Sequence, residues 1–333
     1  MRLKEETLKS AFRFVLQVLF LGCAAAMTSA AHAQTDAAYP AKGVRLIIPF
    51  PPGGSTDILG RFIAELLTKD LGQSFLVVNV GGAGGTIGAL QAVKSPADGY
   101  TLFMGTPSTI INNHILNPNL GYNPLKDLQP LSFLWSQPAV LLVNKDGPYK
   151  TLKDLISAAR KQPGKLNYGS NGVAGFNHLA GELFNVLADV KITHIPYKGA
   201  APAMNDLLGK NIEVVFGTVA GLTSATGLSG LAVASPARSS FIPSVPTFAE
   251  AGLANYIYSS WGGLFAPAGL PSRVPERLVG SLEKGLKVPA TRERFLGAGV
   301  EPVTSTPAEL QKHIASEYEQ VARIIKLAGI KAE

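Results

Sequence analysis

The feature that most constrains this chain is an apolar run of strand length that breaks on four residues and restarts as a helix. Residues 44–50 are rich in branched apolar side chains and read as a buried strand. Pro51-Pro52-Gly53-Gly54 ends it. Ile58, Leu59, Phe62, Ile63, Leu66, Leu67 and Leu71 then share one helical stripe. Ser55 or Thr56 is placed to cap that helix, Asp57 lies in its first turn, and Gly72 closes it. Residues 75–80 return to strand character, so the three segments form a βαβ unit, which implies a parallel sheet.

The pattern recurs. A glycine-rich turn at 81–85 leads into a helix ending near Lys94 and then a strand at 100–104. Strands are expected at 133–135 and 140–143. A second series then alternates strand 166–170, helix 175–187, strand 192–197, helix 202–208 and strand 212–216. Further strands are expected at 231–235 and 256–265, and helices at 274–286, 290–296 and 307–327. Two α/β series in 333 residues predict two domains. The helical tail has little strand of its own and is expected to pack back on the first series. The chain then crosses between domains twice, near 140–143 and 256–265, which makes a hinge.

Residues 1–33 carry Arg2, Lys4, Lys9 and Arg13, then an apolar run from Phe14 to Met27, then Ala31-His32-Ala33. This is the layout of a secretory signal peptide cleaved after Ala33. An uncleaved anchor is the alternative, and Phe20-Leu21-Gly22-Cys23 only loosely matches a lipoprotein box. Cys23 is the single cysteine, so a chain cut after Ala33 has no thiol for catalysis, disulfides or zinc. That chain keeps 26 Lys and Arg against 21 Asp and Glu, a net +5 that favours an anionic ligand at long range. Basic residues do not cluster with aromatics, so nucleic acid is not an expected partner.

Chemistry-bearing motifs are few. Pro49-Phe50-Pro51-Pro52-Gly53-Gly54-Ser55-Thr56-Asp57 bares backbone at a helix start, which suits an anion and equally suits an ordinary tight βα turn. The glycines at 81–88 fail the dinucleotide fingerprint, because the sixth position from Gly82 is Ile87. His114, His178, His194 and His313 form no metal pair at helical spacing, and His178 reads either as a loop anchor or as a cleft residue. A serine-hydrolase elbow is missing, and the carboxylates suggest no glycosidase pair. Trp135, Trp261 and Tyr197 read as packing rather than ligand platforms. No cofactor is expected.

A longer set of landmarks is more specific. It comprises the Pro49–Asp57 segment, Gly82-Ala83-Gly84-Gly85, Ala97-Asp98-Gly99-Tyr100-Thr101-Leu102, Pro163-Gly164-Lys165-Leu166-Asn167-Tyr168, His178-Leu179-Ala180-Gly181-Glu182, Pro196-Tyr197-Lys198-Gly199, Val245-Pro246-Thr247 and Trp261-Gly262-Gly263-Leu264-Phe265-Ala266-Pro267. In this order they resemble the Bug-type solute receptors, the extracytoplasmic binding components of tripartite tricarboxylate transporters. That resemblance implies an α/β, two-lobed periplasmic binding protein of the Venus-flytrap, type II-like kind. Its lobes would be 34–138 with 255–333, and 139–254, each a sheet flanked by helices and joined by two crossover strands. The implied ligand is a small carboxylate, dicarboxylic, tricarboxylic or aromatic. The implied partners are transporter membrane subunits, and the receptor is expected to be a monomer. A receptor for a membrane sensor, or an exported enzyme on the same scaffold, are the alternatives.

Carried over residue by residue, the resemblance implies that Gly53, Gly54, Ser55, Thr56 and the first helix amides hold a carboxylate. Thr106 and Ser108 add hydroxyls, Phe50 and Phe176 touch the ligand body, and Ser170, Gly172 and Val173 close from the second lobe. His178, Gly217 and Thr218 complete that wall, and Asp57 is expected to fix its own helix start. Two departures stand out. Ala174 and Phe176 replace a usual Gly and a usual small hydroxyl residue, and Gly217 stands where Asp usually follows Phe216. Both make the wall less polar and point to a ligand without an amino group.

Overall fold

A computed structural model describes residues 39–330 apart from 118 and 198. The leader at 1–33, Cys23 and the cleavage after Ala33 lie outside the described residues. The described residues from Lys42 on form one compact unit. Among the described residues no helix is long and apolar enough to cross a membrane.

The expected βαβ unit opens the fold. Strand β1 (Val44–Ile48) leads through α1 (Ser55–Leu71) to β2 (Phe75–Asn79), which pairs with β1 in parallel. Leu59, Ile63 and Leu67 of α1 are buried, each stabilising the fold by about 1.5–3 kcal/mol. Gly72 ends α1 with φ 73°, and its N–H bonds the Thr68 carbonyl. Neither Ser55 nor Thr56 caps α1, because extended Gly54 occupies the cap position. After α2 (Thr86–Val93), β3 (Thr101–Gly105) adds in parallel to the other side of β1. A π turn, Ser108–Asn112, runs into α3 (Asn113–Leu116), and α4 (Pro124–Asp127) precedes β4.

Strand β4 (Leu128–Asn144) is a single strand where two were expected. The polar Ser136-Gln137-Pro138 stretch looks like a break, but pairing with a later strand holds it extended. Four βα steps follow. These are α5 (Leu152–Lys161), β5 (Asn167–Ser170), α6 (Phe176–Ala188), β6 (Thr193–Pro196), α7 (Ala200–Leu208), β7 (Val214–Thr218), α8 (Val219–Thr223) and β8 (Leu228–Val233). The chain returns through β9 (Ser259–Pro267), then α9 (Arg273–Leu286), α10 (Pro289–Gly297), β10 (Glu301–Pro302) and α11 (Pro307–Ala328).

The strand order is β2-β1-β3-β9-β4-β7-β5-β6, with β8 and β10 also on β4. Residues 128–138 of β4 pair antiparallel with β9, and 139–144 pair with β7 and β8. One strand therefore serves both series, and β9 joins β4 to β3. Part of the tail packs on α1, where Phe295 meets Phe62 edge-on at 5.8 Å and Arg294 pairs with Glu65 at 2.9 Å.

The β4–β9 seam is tight. A Cβ on Gly262 would lie 2.0–2.3 Å from the ring of buried Trp135. Gly262→Ala is therefore expected to destabilise the protein by about 1–3 kcal/mol. Urea unfolding checks this through a lower midpoint at unchanged slope.

Candidate functional site

Where β1 and β3 end and β9 begins, a cavity of about 150 Å³ opens. Its walls come from four elements. Phe50 and Thr56 flank the first break, and Thr106, Pro107 and Ser108 follow β3. Asn112 lies one turn further on; Phe176 opens α6; Tyr258 and Ser260 come from the start of β9. None of these side chains is a formal charge carrier. Thr56, Ser108 and Phe176 each lie in the first turn of a helical segment, so the N-terminal ends of three segments meet at the cavity.

Two polar atoms in this wall are orphaned. Thr106 is 8% exposed and Asn112 6% exposed, yet Thr106 Oγ1 and Asn112 Oδ1 have no hydrogen-bond partner. Buried polar groups are normally satisfied, so two in one cavity point to an occupant that supplies their bonds. Thr106 is otherwise well held: its N–H bonds Thr109 Oγ1, and its carbonyl accepts from the Thr109 and Ile110 amides, all at 3.0 Å. The opposite wall is aromatic, with Phe176 stacked on Tyr258 at 5.3 Å and 23°. Burial, then the Glu317 charge, keeps the Tyr258 phenol protonated far above its usual range.

Asp57 acts on the first break and not on the cavity. Its carboxylate accepts from Gly53 N at 2.9 Å, Asn79 Nδ2 at 2.9 Å and Arg61 Nε at 3.1 Å. Asn79 Nδ2 also reaches the Phe50 carbonyl at 3.1 Å, so the two residues hold the loop that carries Phe50. Burial pulls the Asp57 pKa up, but bonds from Arg61, Gly53 and Asn79 and the Arg61 charge outweigh it and leave it lowered.

The sequence-derived set divides in two. Phe50, Thr56, Thr106, Ser108 and Phe176 come together in the cavity. Gly53, Gly54 and Ser55 sit exposed beside it, outside its lining, and Val173 is 37% exposed. Ser170, Gly172 and His178 instead build the loop ahead of α6. Ser170 Oγ donates to Gly172 O at 3.0 Å, accepts from Gly172 N at 3.1 Å, and meets His194 Nε2 at 2.6 Å. With its one proton used, Ser170 must accept from His194. Ala174 N donates to His178 Nδ1 at 2.9 Å, and the two imidazoles stack at 3.7 Å. Ala174 has φ 55°, a conformation that favours glycine. Gly217 is buried under Leu142, whose Cδ1 lies 2.5 Å from where a Cβ would stand, and Thr218 Oγ1 caps α8 by accepting from Gly221 N at 3.2 Å.

Asn112, Tyr258 and Ser260 were missed. Asn112 follows Ser108 by four residues, a helical spacing that signals a shared face. Tyr258 and Ser260 alternate on an extended segment, but nothing local to them indicates that β9 passes the end of β3. Among the described residues no group of three or more His, Cys, Asp or Glu could hold a metal ion.

The family described as tripartite tricarboxylate transporter family receptor matches residues 59–330. The chain belongs to that family. It is 36% identical over 298 residues to the protein BugT of Bordetella pertussis, covering 88% of this chain and 91% of that one. It is similar to two solved structures. The R. palustris protein Rpa4515 with adipate is 34% identical with a TM-score of 0.73, covering 88% and 99% of the two chains. MatC from Rhodopseudomonas palustris with bound malate is 29% identical with a TM-score of 0.69, covering 86% and 100%. These relatives share the α/β periplasmic solute-receptor fold.

The histidine pair makes the loop acid-sensitive. Burial, and for His178 the neighbouring His194, lowers both pKa values to about 4. A base whose folded pKa lies below its unfolded value of about 6.5 contributes fully above that value and loses its contribution as pH falls through 4. The urea midpoint is expected to fall as pH drops from 6.5 to 4, and to fall less in His194→Gln. The Asp57 contribution is separable, since its lowered pKa places that loss below the usual Asp range.

Proposed function

We propose that this chain is an exported periplasmic receptor that takes one small carboxylate into the cavity between Thr106 and Phe176. The observation that carries the reading is the unpartnered hydroxyl of Thr106 in an uncharged, largely buried wall. A carboxylate oxygen there accepts from Thr106, with Thr56, Ser108 and the helix-start amides completing its shell. The adipate- and malate-bound relatives support this ligand class.

Residues 34–138 with 255–333 make one lobe and 139–254 the other, and they close on the ligand about β4 and β9. Phe50 lies on the first lobe and Phe176 on the second, so closure brings both to the ligand body. The closed receptor delivers its solute, as a monomer, to the membrane subunits of a tripartite tricarboxylate-type transporter. Its leader is removed after Ala33. Turnover is not part of this reading. The Ser170–His194 contact is partly buried and engaged in fixing the second-lobe loop.

The Phe176–Tyr258 stack and the lack of a carboxylate at Gly217 leave no charged group in the cavity lining to pair with a ligand ammonium. Acidic amino acids are therefore expected to bind more weakly than amino-free dicarboxylates or aromatic acids. Titrations in which glutamate or aspartate binds tightest would refute that specificity.

Thermal unfolding against a carboxylate panel including adipate and malate tests the reading. A ligand at 100 times its Kd adds about 2.7 kcal/mol, and it should be recovered unchanged. Thr106→Val should weaken the best ligand at least about tenfold, the worth of one charge-assisted bond, without lowering the ligand-free midpoint, because Oγ1 has no bond to lose. No stabilisation by any panel member, or weaker binding only in parallel with a lower midpoint, would count against it.

A further inference from the structure

A second cavity, of about 270 Å³, lies between the start of β9 and the middle of α11. It shares Tyr258 with the carboxylate cavity, while neighbouring Ser259 and Ser260 line one cavity each, as alternate residues of an extended strand do. The two cavities thus lie on opposite faces of the strand that crosses between the series.

Its chemistry is set by Glu317, only 7% exposed. Glu317 Oε2 accepts from Trp261 Nε1 at 2.6 Å and from His313 Nε2 at 3.0 Å. A carboxylate cannot donate, so His313 gives a proton to that bond and is committed to it. Oε1 has no hydrogen-bond partner among the described residues. Oε1 is not among the buried atoms left without a partner, so it is open on the side of the cavity that Glu317 lines, where a carboxylate oxygen attracts N–H donors and positive charge. Gln320 contributes an amide oxygen, and the Tyr258 ring adds a face of the kind that attracts cations. A metal ion does not suit one carboxylate in so large a space. Ile257, 44% exposed, supplies an apolar edge for an alkyl body.

We propose that this hinge-side cavity is a second binding site, taking a small organic cation, an alkylammonium or alkylguanidinium, on Glu317. Because Tyr258 stacks on Phe176 in the first cavity, filling the second is expected to change carboxylate affinity, and the reverse by the same factor. This coupling rests on the proposed carboxylate site; the cation site does not.

Trp261 donates to Glu317, so its fluorescence reports occupancy directly. Titration of the mature protein with n-butylammonium and with ethylguanidinium chloride should give a saturable change that sodium chloride at equal ionic strength does not. Glu317→Gln should weaken it at least tenfold. Ser316→Phe, an exposed position on the cavity rim that leaves the Trp261–Glu317 bond alone, should also abolish it. A non-saturable response, or one unchanged in both variants, overturns the site. Saturating n-butylammonium should shift the Kd of the best carboxylate at least threefold, and an unshifted Kd overturns the coupling. If no carboxylate binds, the Trp261 signal still reads the cation, so the two failures are told apart.

Discussion

Residues 128–138 of β4 pair with β9, and 139–144 of the same strand pair with β7 and β8, so one backbone is hydrogen-bonded into both halves of the sheet. β9 is in turn bonded to β3, with Gly105 opposite Gly263. That chain of pairing brings the turn after β3 beside the start of β9, and it sets Thr106 across from Tyr258. Without it the polar Thr106–Asn112 side and the aromatic Phe176–Tyr258 side would belong to unrelated regions. The requirement shows in the side chains at the seam, where Gly262 leaves room for the Trp135 ring and Gly105 leaves room for Phe265.

Around that frame, two hydrogen-bonded clusters shape the loops that face the cavity. On one side the Asp57 carboxylate, with Arg61 and Asn79, holds the break after β1. On the other, Ser170, His178 and His194 hold the loop before α6. Both are polar networks, and such networks rigidify what they hold. Of the three buried side-chain atoms left unsatisfied among the described residues, two, Thr106 Oγ1 and Asn112 Oδ1, belong to the cavity wall, and the third is Ser281 Oγ in α9. The contrast between satisfied supports and an unsatisfied wall is what a preformed ligand site requires, because an occupant then gains bonds that the empty protein does not have to break.

Three residues of the second series act on the same surroundings. Phe176 occupies the first turn of α6 and covers part of the cavity with an aromatic face. Gly217 gives its side-chain space to Leu142. Ala174 keeps the left-handed turn at a steric cost that the His178 bond helps to offset.

The βα alternation, the βαβ opening, the tail helices and the break after β1 were legible in the chain because each is a local pattern: apolar period, Gly and Pro at turns, acidic first turns. Phe50, Thr56, Thr106, Ser108 and Phe176 were reachable for the same reason, through motifs at the ends of elements. The continuity of β4, the position of Tyr258 and Ser260, and the withdrawal of Ser170 and His178 into a supporting network depend on strand pairing between segments more than a hundred residues apart in sequence, or on which polar groups find each other when they fold. Sequence periodicity specifies which face of an element is buried, but long-range pairing decides what that face meets, and in this protein that meeting makes the cavity.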